Sequence, residues 1–370
     1  MLNNLQYKEL SIFTNNDLEP FIIWCVENEV SDITIQTDED VFCHIHGKKH
    51  KVLNRRLRNS EIISLISYIY KGEGALSQLN AGEEINLAWT IKKHKEVYRF
   101  RVNIKSGQMD HQKGYSLTIR VIKNNIPKLD SLNLHNDILE NIDLKQGLFL
   151  VTGSVGQGKS TLLASIIAHR LSLKESNLKI STYESPIEFV YDNIQKPTSI
   201  ICQSEIGTHF ESFSAGLKNS LRSANDAILV GEILDKESIE NAILASMLGT
   251  FVYTTGHATG VSSSIKRLVN AFPVEERTTK ILDILTSVKV IVSQMLIPSL
   301  DGKRIPVREY LIFTEEIIDF LYSSPLEYLS LNINKLLKEK NTHFIYDLTQ
   351  KYERNLISKE EYLKVLKNFK

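Results

Sequence analysis

The stretch GLFLVTGSVGQGKSTLLASIIAHRL, residues 147–171, decides the fold of the larger part of this chain. Its mostly apolar start predicts a buried strand, a glycine-rich turn follows, and TLLASIIAHRL predicts a helix. The turn fits G-x-x-x-x-G-K-[S/T], a pattern whose glycines let backbone N–H groups wrap a phosphate at a helix N-terminus. A chance glycine-rich turn is the alternative, but the flanking strand and helix disfavour it. We therefore predict a nucleotide-binding loop.

Individual residues of this loop have predicted roles. Lys159 would reach the β- and γ-phosphates of ATP, and the Ser160 hydroxyl would ligate Mg²⁺. The residues predicted to contact the nucleotide are Gly153, Ser154, Val155, Gly156, Gln157, Gly158, Lys159, Ser160 and Thr161.

The sequence pattern changes along the chain. Around the loop, short apolar strands (GLFLVTG, NLKISTY, DAILVGE, TFVYTTG) are each followed by a loop or helix, which is typical of a parallel sheet covered on both faces. The first third reads as helix, two strands, helix, three strands, an α+β pattern with an antiparallel sheet. The predicted organisation is an N-terminal α+β domain at 1–122, a polar linker at 123–137, an α/β P-loop domain at 138–314 and a helical segment at 315–370.

Two of the predicted strands end in side chains suited to chemistry. DAILVGE ends in Glu232, which would emerge at the carboxyl edge of the sheet beside the loop and order Mg²⁺ or the attacking water. The alternative is that Glu232 caps the following helix. TTGHATG places His257 at the same edge, where it would contact a γ-phosphate or serve a structural role.

The stretch TYESPIE, residues 182–188, offers two carboxylates at one loop. Pro186 lacks the N–H of a helix interior and biases Ser185 toward an extended backbone. Glu184 and Glu188 therefore do not share a helical face despite their spacing of four. We expect the strand to end near Tyr183 and the loop to lie within reach of a γ-phosphate.

Four arginines are candidates for neutralising phosphate charge. Arg99 and Arg101 share one face of a predicted strand because side chains alternate, and Arg120 lies in a later strand. Arg222 lies just upstream of the DAILVGE strand. Solvated strand surface is the alternative for the strand arginines.

The composition narrows the class of partner. Lys+Arg and Asp+Glu both number 44, and there is no strip of basic and aromatic residues, so sequence-specific nucleic-acid binding is not expected. The start of the chain lacks the pattern of a signal peptide, and no apolar run approaches the length of a bilayer span. A cytoplasmic protein is the expectation.

The cysteines and clustered histidines give little sign of a metal site. The three cysteines (Cys25, Cys43 and Cys202) are scattered along the chain, which argues against a disulfide framework and fits a reducing compartment. His44 and His46 would share a strand face, but no third ligand is evident nearby.

Four segments resemble, in order and spacing, the boxes of the bacterial secretion ATPases, a superfamily that includes type II/IV secretion and type IV pilus motors. They are GSVGQGKST for Walker A, TYESPIEF for the Asp box, DAILVGE for Walker B and TTGHATG for the His box. The resemblance covers roughly residues 148–300, and the R-F-R-V-N strand resembles the PAS-like domain of the pilus-retraction branch. The Asp box and the short helical tail look most like the DotB/TraJ proteins of type IVB secretion and conjugation.

The resemblance implies a PAS-like domain followed by a RecA-like P-loop domain, in a homohexamer whose subunits pair their N-terminal domains with a neighbour's C-terminal domain. It implies that Glu188 is the catalytic base. Because Pro186 makes the two glutamates point to different places, we expect Glu184 to be a supporting group that bonds to the loop or to the Mg²⁺ shell. With the motif assignments, the predicted catalytic residues are Lys159, Glu188, Glu232, His257, Arg99, Arg101 and Arg120, the further nucleotide contacts are Glu184 and Arg222, and the Mg²⁺ ligands are Ser160 and Glu232.

The implied function is a cytoplasmic ATPase that powers a type IVB, Dot/Icm-like secretion or conjugative transfer apparatus at the inner membrane, which it reaches through partner proteins. The chain departs from the family pattern at Ser185, Leu234 and Gly256, where relatives carry an aspartate, an arginine and a different His-box residue. The alternatives are a pilus-retraction motor and a nucleotide-gated assembly module with little turnover.

Overall fold

The chain forms two compact units, residues 1–125 and 126–370. The computed structural model describes residues 6–8, 10–45, 48–72, 74–94, 96–109, 111–122, 125–233 and 235–369. Within those ranges, no helix combines the length and the apolar character that crossing a bilayer requires.

The first unit is α+β. Its described part contains one six-stranded sheet in the order β3-β2-β1-β6-β5-β4, and every neighbouring pair is antiparallel. In chain order the elements are α1 (Asn15–Glu27), β1 (Asp32–Gln36), β2 (Phe42–Ile45), β3 (Lys48–Lys51), α2 (Asn59–Tyr70), α3 (Ala75–Asn80), β4 (Ile85–Lys93), β5 (Glu96–Met109) and β6 (Gln112–Ile122).

Alternation along β5 explains how this sheet packs. Phe100, Val102 and Ile104 are fully buried, whereas Arg101 between them is exposed. Successive side chains of a strand point to opposite faces, so one face joins the core and the other carries charge. The antiparallel α+β prediction for this region is confirmed.

The second unit is α/β. Its described residues form a seven-stranded sheet in the order β13-β12-β7-β11-β10-β8-β9, in which only β13 runs antiparallel to its neighbour. In chain order the elements are α4 (Asn136–Leu139), β7 (Gly147–Thr152), α5 (Lys159–Ser172), β8 (Lys179–Glu184), β9 (Ile200–Glu205), α6 (Phe213–Ser220), β10 (Ala227–Val230), α7 (Lys236–Met247), β11 (Phe251–Gly256), α8 (Val261–Asn270), α9 (Val274–Ser287), β12 (Val288–Pro298), β13 (Arg304–Ile312), α10 (Glu315–Tyr322), α11 (Leu329–Glu339), α12 (Phe344–Glu353) and α13 (Lys359–Leu366).

Burial on both faces accounts for the continuous apolar strands. On β7, Leu148 and Leu150 belong to one hydrophobic cluster, while Phe149 and Val151 belong to a second cluster with α5. A strand covered on both sides needs apolar side chains at every position, which is why β7, β10 and β11 lack alternation. The predicted mostly parallel sheet is confirmed.

Some local features differ from expectation. The sequence predicts the α2 cap at Asn59 or Ser60, but Asn59 is already helical and Arg58 precedes it; the Arg58 N–H donates to the Glu61 carboxylate at 2.9 Å. Helix α3 and four strands, β3, β9, β12 and β13, have no counterpart among the predicted elements. The segment predicted to be helical, residues 315–370, contains α10 to α13, and Ser358 caps α13 by accepting from the Glu361 N–H.

The segment predicted as a linker has structure of its own. Lys123 and Asn124 lie outside the described residues. From Ile126 onward the chain packs against the cluster beneath α5, and residues 129–132 form a single 3₁₀ turn.

Candidate nucleotide-binding site

The phosphate loop connects β7 to α5 at the carboxyl edge of the parallel sheet. Gly156 and Gly158 have φ of +77° and +76°, values that favour glycine, and Gly158 is the residue before the first helical turn. A Cβ at Gly153 would collide with the Gln294 carbonyl. The loop therefore has the backbone that its motif requires, at the N-terminus of a 14-residue helix.

Exposure varies along this loop, as a ligand-facing turn requires. Ser154, Val155 and Gly156 are exposed; Gln157, Gly158, Ser160 and Thr161 are half-buried; Gly153 and Lys159 are buried.

Lys159 lies under the loop with its ammonium turned back onto it. Nζ donates to the Gly153 carbonyl at 2.7 Å and to the Ser154 carbonyl at 3.0 Å. Burial lowers the pKa of Lys159, while the negative charges of Glu188 and Glu232 raise it. Both carboxylates therefore act on this ammonium, so three residues from three separate motifs meet at the loop.

The two glutamates of TYESPIE differ sharply in environment. Glu184 is the last residue of β8, one position later than expected, and it is 8% exposed. Its Oε1 accepts from Thr182 Oγ1 at 2.7 Å and from Gln203 Nε2 at 3.3 Å. Burial raises the pKa of Glu184 to about 7, against the effect of these bonds and of a bond from the Glu188 backbone N–H. Glu188 is exposed.

Edge strand β9 holds the segment that follows Glu184. Gln203 Nε2 donates to the Phe189 carbonyl at 2.7 Å, and Gln203 Oε1 accepts from the Tyr191 N–H at 3.3 Å. The Ile187 N–H donates to Glu205 Oε2 at 3.2 Å. These bonds fix the backbone on both sides of Glu188, and the Ser185–Pro186 peptide bond between the two glutamates is cis.

Glu232 and His257 form a pair at the same edge. Glu232 Oε2 and His257 Nε2 are 2.8 Å apart, and each side chain is about one-third exposed. Asp235, rather than Glu232, caps α7, because its carboxylate accepts from the Ser238 N–H at 2.7 Å. The capping alternative for Glu232 is therefore wrong. Leu234 lies outside the described residues.

Arg222 does not join this group. It is exposed in the turn after α6 and precedes β10, so it lies at the amino edge of a parallel sheet whose carboxyl edge carries the phosphate loop. Its neighbour Ser223 accepts from the Lys179 side chain at the start of β8, which marks the same amino edge. Arg222 therefore lies away from the phosphate loop of its own chain, and the prediction that it binds nucleotide there is wrong.

The strand arginines lie together in the first unit. Arg101 on β5 is directly opposite Arg120 on β6, and Arg99 lies two residues before Arg101 on the same face. The Arg120 Nε donates to Asp32 Oδ1 at 2.6 Å, and 57% of its side chain is exposed. The phosphate loop belongs to the second unit, so a place for these arginines at a nucleotide is a proposal.

Two oxygens fit the requirements of Mg²⁺. Ser160 is the second residue of α5, next to Lys159, and the Glu232 carboxylate acts on the Lys159 ammonium, so a hydroxyl and a carboxylate are available beside the loop. Among the described residues, no group of three or more His, Cys, Asp or Glu side chains could hold a metal ion by itself. Cys43 lies 3.7 Å from Cys25, Sγ to Sγ, in the buried core, and His46 lies outside the described residues.

Several residues that shape the site were missed by sequence reasoning. Gln203 and Glu205 lie on the unpredicted strand β9, and Gln294 and Arg308 lie on β12 and β13 behind the loop. In the sequence these four residues stand out only as polar positions within strands. A polar position does not indicate which residue its side chain bonds.

Comparison with known proteins agrees with this architecture. Residues 11–318 match the family model described as "Type II/IV secretion system protein". The structure of the ATPase DotB of Legionella pneumophila is 37% identical, with a TM-score of 0.89 and 99% of both chains covered. The structure of the pilus retraction motor PilT with bound ADP is 26% identical, with a TM-score of 0.80, covering 95% of this chain and 96% of that one.

Curated relatives give the same result over a shorter span. The type IV pilus ATPase PilU of Pseudomonas aeruginosa is 32% identical over 249 residues, 67% of this chain and 64% of the relative. The first three curated relatives are each matched over less than two thirds of their own length. With a family model that spans most of its length and a shared two-unit fold, the chain belongs to the type II/IV secretion system protein family.

Proposed function

We propose that this chain binds ATP at the phosphate loop and hydrolyses it in the presence of Mg²⁺. The observation that carries this proposal is that Lys159, Glu188 and Glu232, from three distant parts of the sequence, all follow parallel strands at one carboxyl edge of the sheet, where both carboxylates act on the Lys159 ammonium. The DotB protein of similar structure is an ATPase, and the PilT structure contains ADP. Both support the same reaction here.

The proposed reaction assigns a step to each side chain. Lys159 exchanges its loop carbonyls for the β- and γ-phosphate oxygens, which neutralises charge that grows during phosphoryl transfer. Glu188 is exposed, so its carboxylate can meet the attacking water and accept a proton from it. Glu184, buried behind it, binds the Glu188 N–H and so orients the base.

Glu232 and His257 complete the proposed site. Their bond at 2.8 Å holds the carboxylate in place, and the imidazole faces the edge where a γ-phosphate would lie. Mg²⁺ held by Ser160 and Glu232 would neutralise negative charge on the β- and γ-phosphates. The remaining phosphate charge is assigned to Arg99, Arg101 and Arg120, of the same chain or of a neighbouring copy.

We further propose a homohexamer that powers a type IVB, Dot/Icm-like secretion or conjugative apparatus from the cytoplasmic face of the inner membrane, which it reaches through partners. Similarity to DotB over 99% of both chains favours this machine. Similarity to PilT and PilU makes pilus retraction the alternative.

The decisive experiment measures binding and turnover separately on the purified chain. Binding of a fluorescent ADP analogue and release of phosphate from ATP are followed with Mg²⁺ and with a chelator, while sedimentation reports the assembly. We expect binding, Mg²⁺-dependent phosphate release and a hexamer. Failure to bind would overturn the proposal, whereas tight binding without phosphate release would indicate the nucleotide-gated module that the departures at Ser185, Leu234 and Gly256 favour.

A further inference from the structure

The phosphate loop is held from behind by strand β12. Gln294 Nε2 donates to the Gln157 carbonyl at 2.7 Å, and the Leu296 N–H donates to Gln157 Oε1 at 2.5 Å. Gln157 precedes Gly158, so this anchor lies within the turn whose N–H groups face a phosphate. Gln157 is therefore tied to β12 through both its carbonyl and its side chain, and one residue earlier the Gly156 carbonyl accepts from Arg304 Nη1 at 3.3 Å.

The orientation of the Gln294 amide is set by Arg308. The two residues are directly opposite each other on β12 and β13, and Arg308 Nε donates to Gln294 Oε1 at 2.8 Å. A guanidinium can only donate, so the amide oxygen must face Arg308 and the amide N–H must face the loop. Gln294 is 4% exposed and Arg308 is 3% exposed, so water does not compete for these bonds.

Arg308 is itself held at three further points. Its two terminal nitrogens donate to the carbonyls of Asn133 and Leu132 at 3.1 and 3.0 Å. Its backbone N–H donates to Asp347 Oδ2 at 2.7 Å, on helix α12. Burial lowers the pKa of Arg308 to about 10, which leaves the guanidinium charged at neutral pH. One residue thus joins residues 132–133, through its guanidinium, and α12, through its backbone N–H, to the amide that anchors the loop.

A purely structural role would make this network a buried set of satisfied polar groups that stabilises the β12–β13 hairpin. Two observations favour a role in the site. The chain of bonds ends on a loop carbonyl rather than within the hairpin, and the Gln294 carbonyl also lies where Gly153 admits no side chain. The same residue therefore contacts the loop at its first glycine and again four residues later.

We propose that Gln294 and Arg308 are positioning residues for the phosphate loop: Arg308 orients the Gln294 amide, and the amide sets the loop backbone that receives the nucleotide phosphates. This inference rests on the proposed nucleotide binding at the loop. It adds two residues outside all four sequence boxes, and it makes the conformation of residues 132–133 and of α12 part of what determines phosphate affinity.

Gln294→Glu separates positioning from stability. A glutamate keeps and strengthens the pair with Arg308, but it presents an oxygen to the Gln157 carbonyl in place of an N–H. We expect the dissociation constant of a fluorescent ADP analogue to rise about 10- to 100-fold, while the thermal unfolding temperature stays near that of the wild type. Gln108→Glu, at an exposed position of β5 in the first unit, is the matched control and leaves both values unchanged.

Arg308→Lys tests the second member of the relay. Lysine keeps the charge but lacks the planar fork that reaches Gln294 and two carbonyls at once, so ADP affinity falls, by less than in Gln294→Glu. Should Gln294→Glu fail to fold, Gln294→Met removes both bonds at nearly constant volume and is expected to weaken ADP binding about 10-fold.

Wild-type ADP affinity in a folded Gln294→Glu or Gln294→Met protein would overturn the inference while leaving the proposed function intact. Failure of the wild-type chain to bind ADP would instead overturn the proposed function, and this inference with it.

Discussion

Lys159 in the second unit is 8% exposed and has two carboxylates acting on its charge, whereas Arg120 in the first unit leaves 57% of its side chain in solvent and pairs with one aspartate. The first belongs to what we call the loop-edge cluster: Lys159, Glu184, Glu188, Glu232 and His257. The second belongs to the arginine row: Arg99, Arg101 and Arg120. Both are sets of charges, but Lys159 and Glu184 of the first set are buried, whereas Arg101 and Arg120 of the second set are exposed to water.

The comparison shows where a charged side chain interacts most strongly with another charge. Two charges interact several times more strongly near a desolvated protein site than in bulk water, because the effective dielectric is lower. The loop-edge cluster is built into the carboxyl edge of a sheet, so its charges are poised for a ligand. Arg101 and Arg120 are exposed, so the arginine row gains comparable strength only when a ligand or another surface excludes water from it.

The largest expected effect is that of Lys159→Ala. Removing the buried ammonium leaves Glu188 and Glu232 facing the phosphates without compensation, so ADP binding should be lost and ATP turnover should fall at least ~10³-fold. Fluorescent-ADP titration and phosphate release measure this. The control is Lys174→Ala at an exposed position. Wild-type turnover in Lys159→Ala would show that the loop-edge cluster is not the reaction site.

The next effect is that of Glu188, one of the three glutamates of the cluster. Glu188→Gln removes the proposed base but leaves the loop intact, so ADP affinity should persist while kcat falls about 10²- to 10⁴-fold. Glu211→Gln, at an exposed position beyond β9, serves as the control. Unchanged kcat in Glu188→Gln would move the role of base to another residue at this edge.

Most of the loop-edge cluster was predictable because of one geometric rule. The carboxyl ends of neighbouring parallel strands meet at one edge, so a residue just after each apolar strand must lie near the others. Glu232 and His257 follow this rule. Applied strictly, the same rule excludes Arg222, since a residue just before a strand lies at the opposite edge.

The supporting residues could not be predicted in the same way. Gln203 acts from an edge strand whose pairing with β8 is a tertiary contact with no local pattern. The meeting of Gln294 and Arg308 depends on the register of the β12–β13 hairpin, and a shift of one residue would place the two side chains on opposite faces. The fold and the strand-end residues follow from local pattern, while the bonds that orient them follow from register.

Arg101→Gln tests whether the arginine row acts on the nucleotide at all. If a proposed hexamer brings the row to a bound phosphate, kcat should fall about 10²-fold while ADP affinity and stability change little. Phosphate release by the assembled protein is the measurement, and Lys113→Gln on exposed β6 is the control. Equal kcat in both variants would mean that the arginine row is solvated surface. Only the loop-edge cluster would then act on the nucleotide.

A smaller effect concerns the pH dependence of stability that Glu184 introduces. Its pKa in the folded protein is raised from 4.5 to about 7, so its contribution to stability is fully present below about pH 4.5 and is lost as the pH rises through about 7. Between about pH 6 and about pH 8.5 the wild type should therefore lose about 1.4 kcal/mol relative to Glu184→Gln. Urea unfolding at both pH values measures this, and parallel losses in the two proteins would contradict it.

The smallest expected effect is that of the Arg120–Asp32 pair, whose atoms are only 2.6 Å apart. Exposed ion pairs contribute about 0.2 to 1 kcal/mol, so a double-mutant cycle with Arg120→Ala and Asp32→Ala should give a coupling in that range. The coupling should shrink as salt rises from about 0.1 M to about 1 M, because solvent ions screen it. A salt-insensitive coupling well above 1 kcal/mol would mean that Asp32 commits Arg120 to holding β1 against β6. An arginine committed in that way is not available to neutralise a phosphate, so Arg99 and Arg101 alone would then remain as candidates for that role.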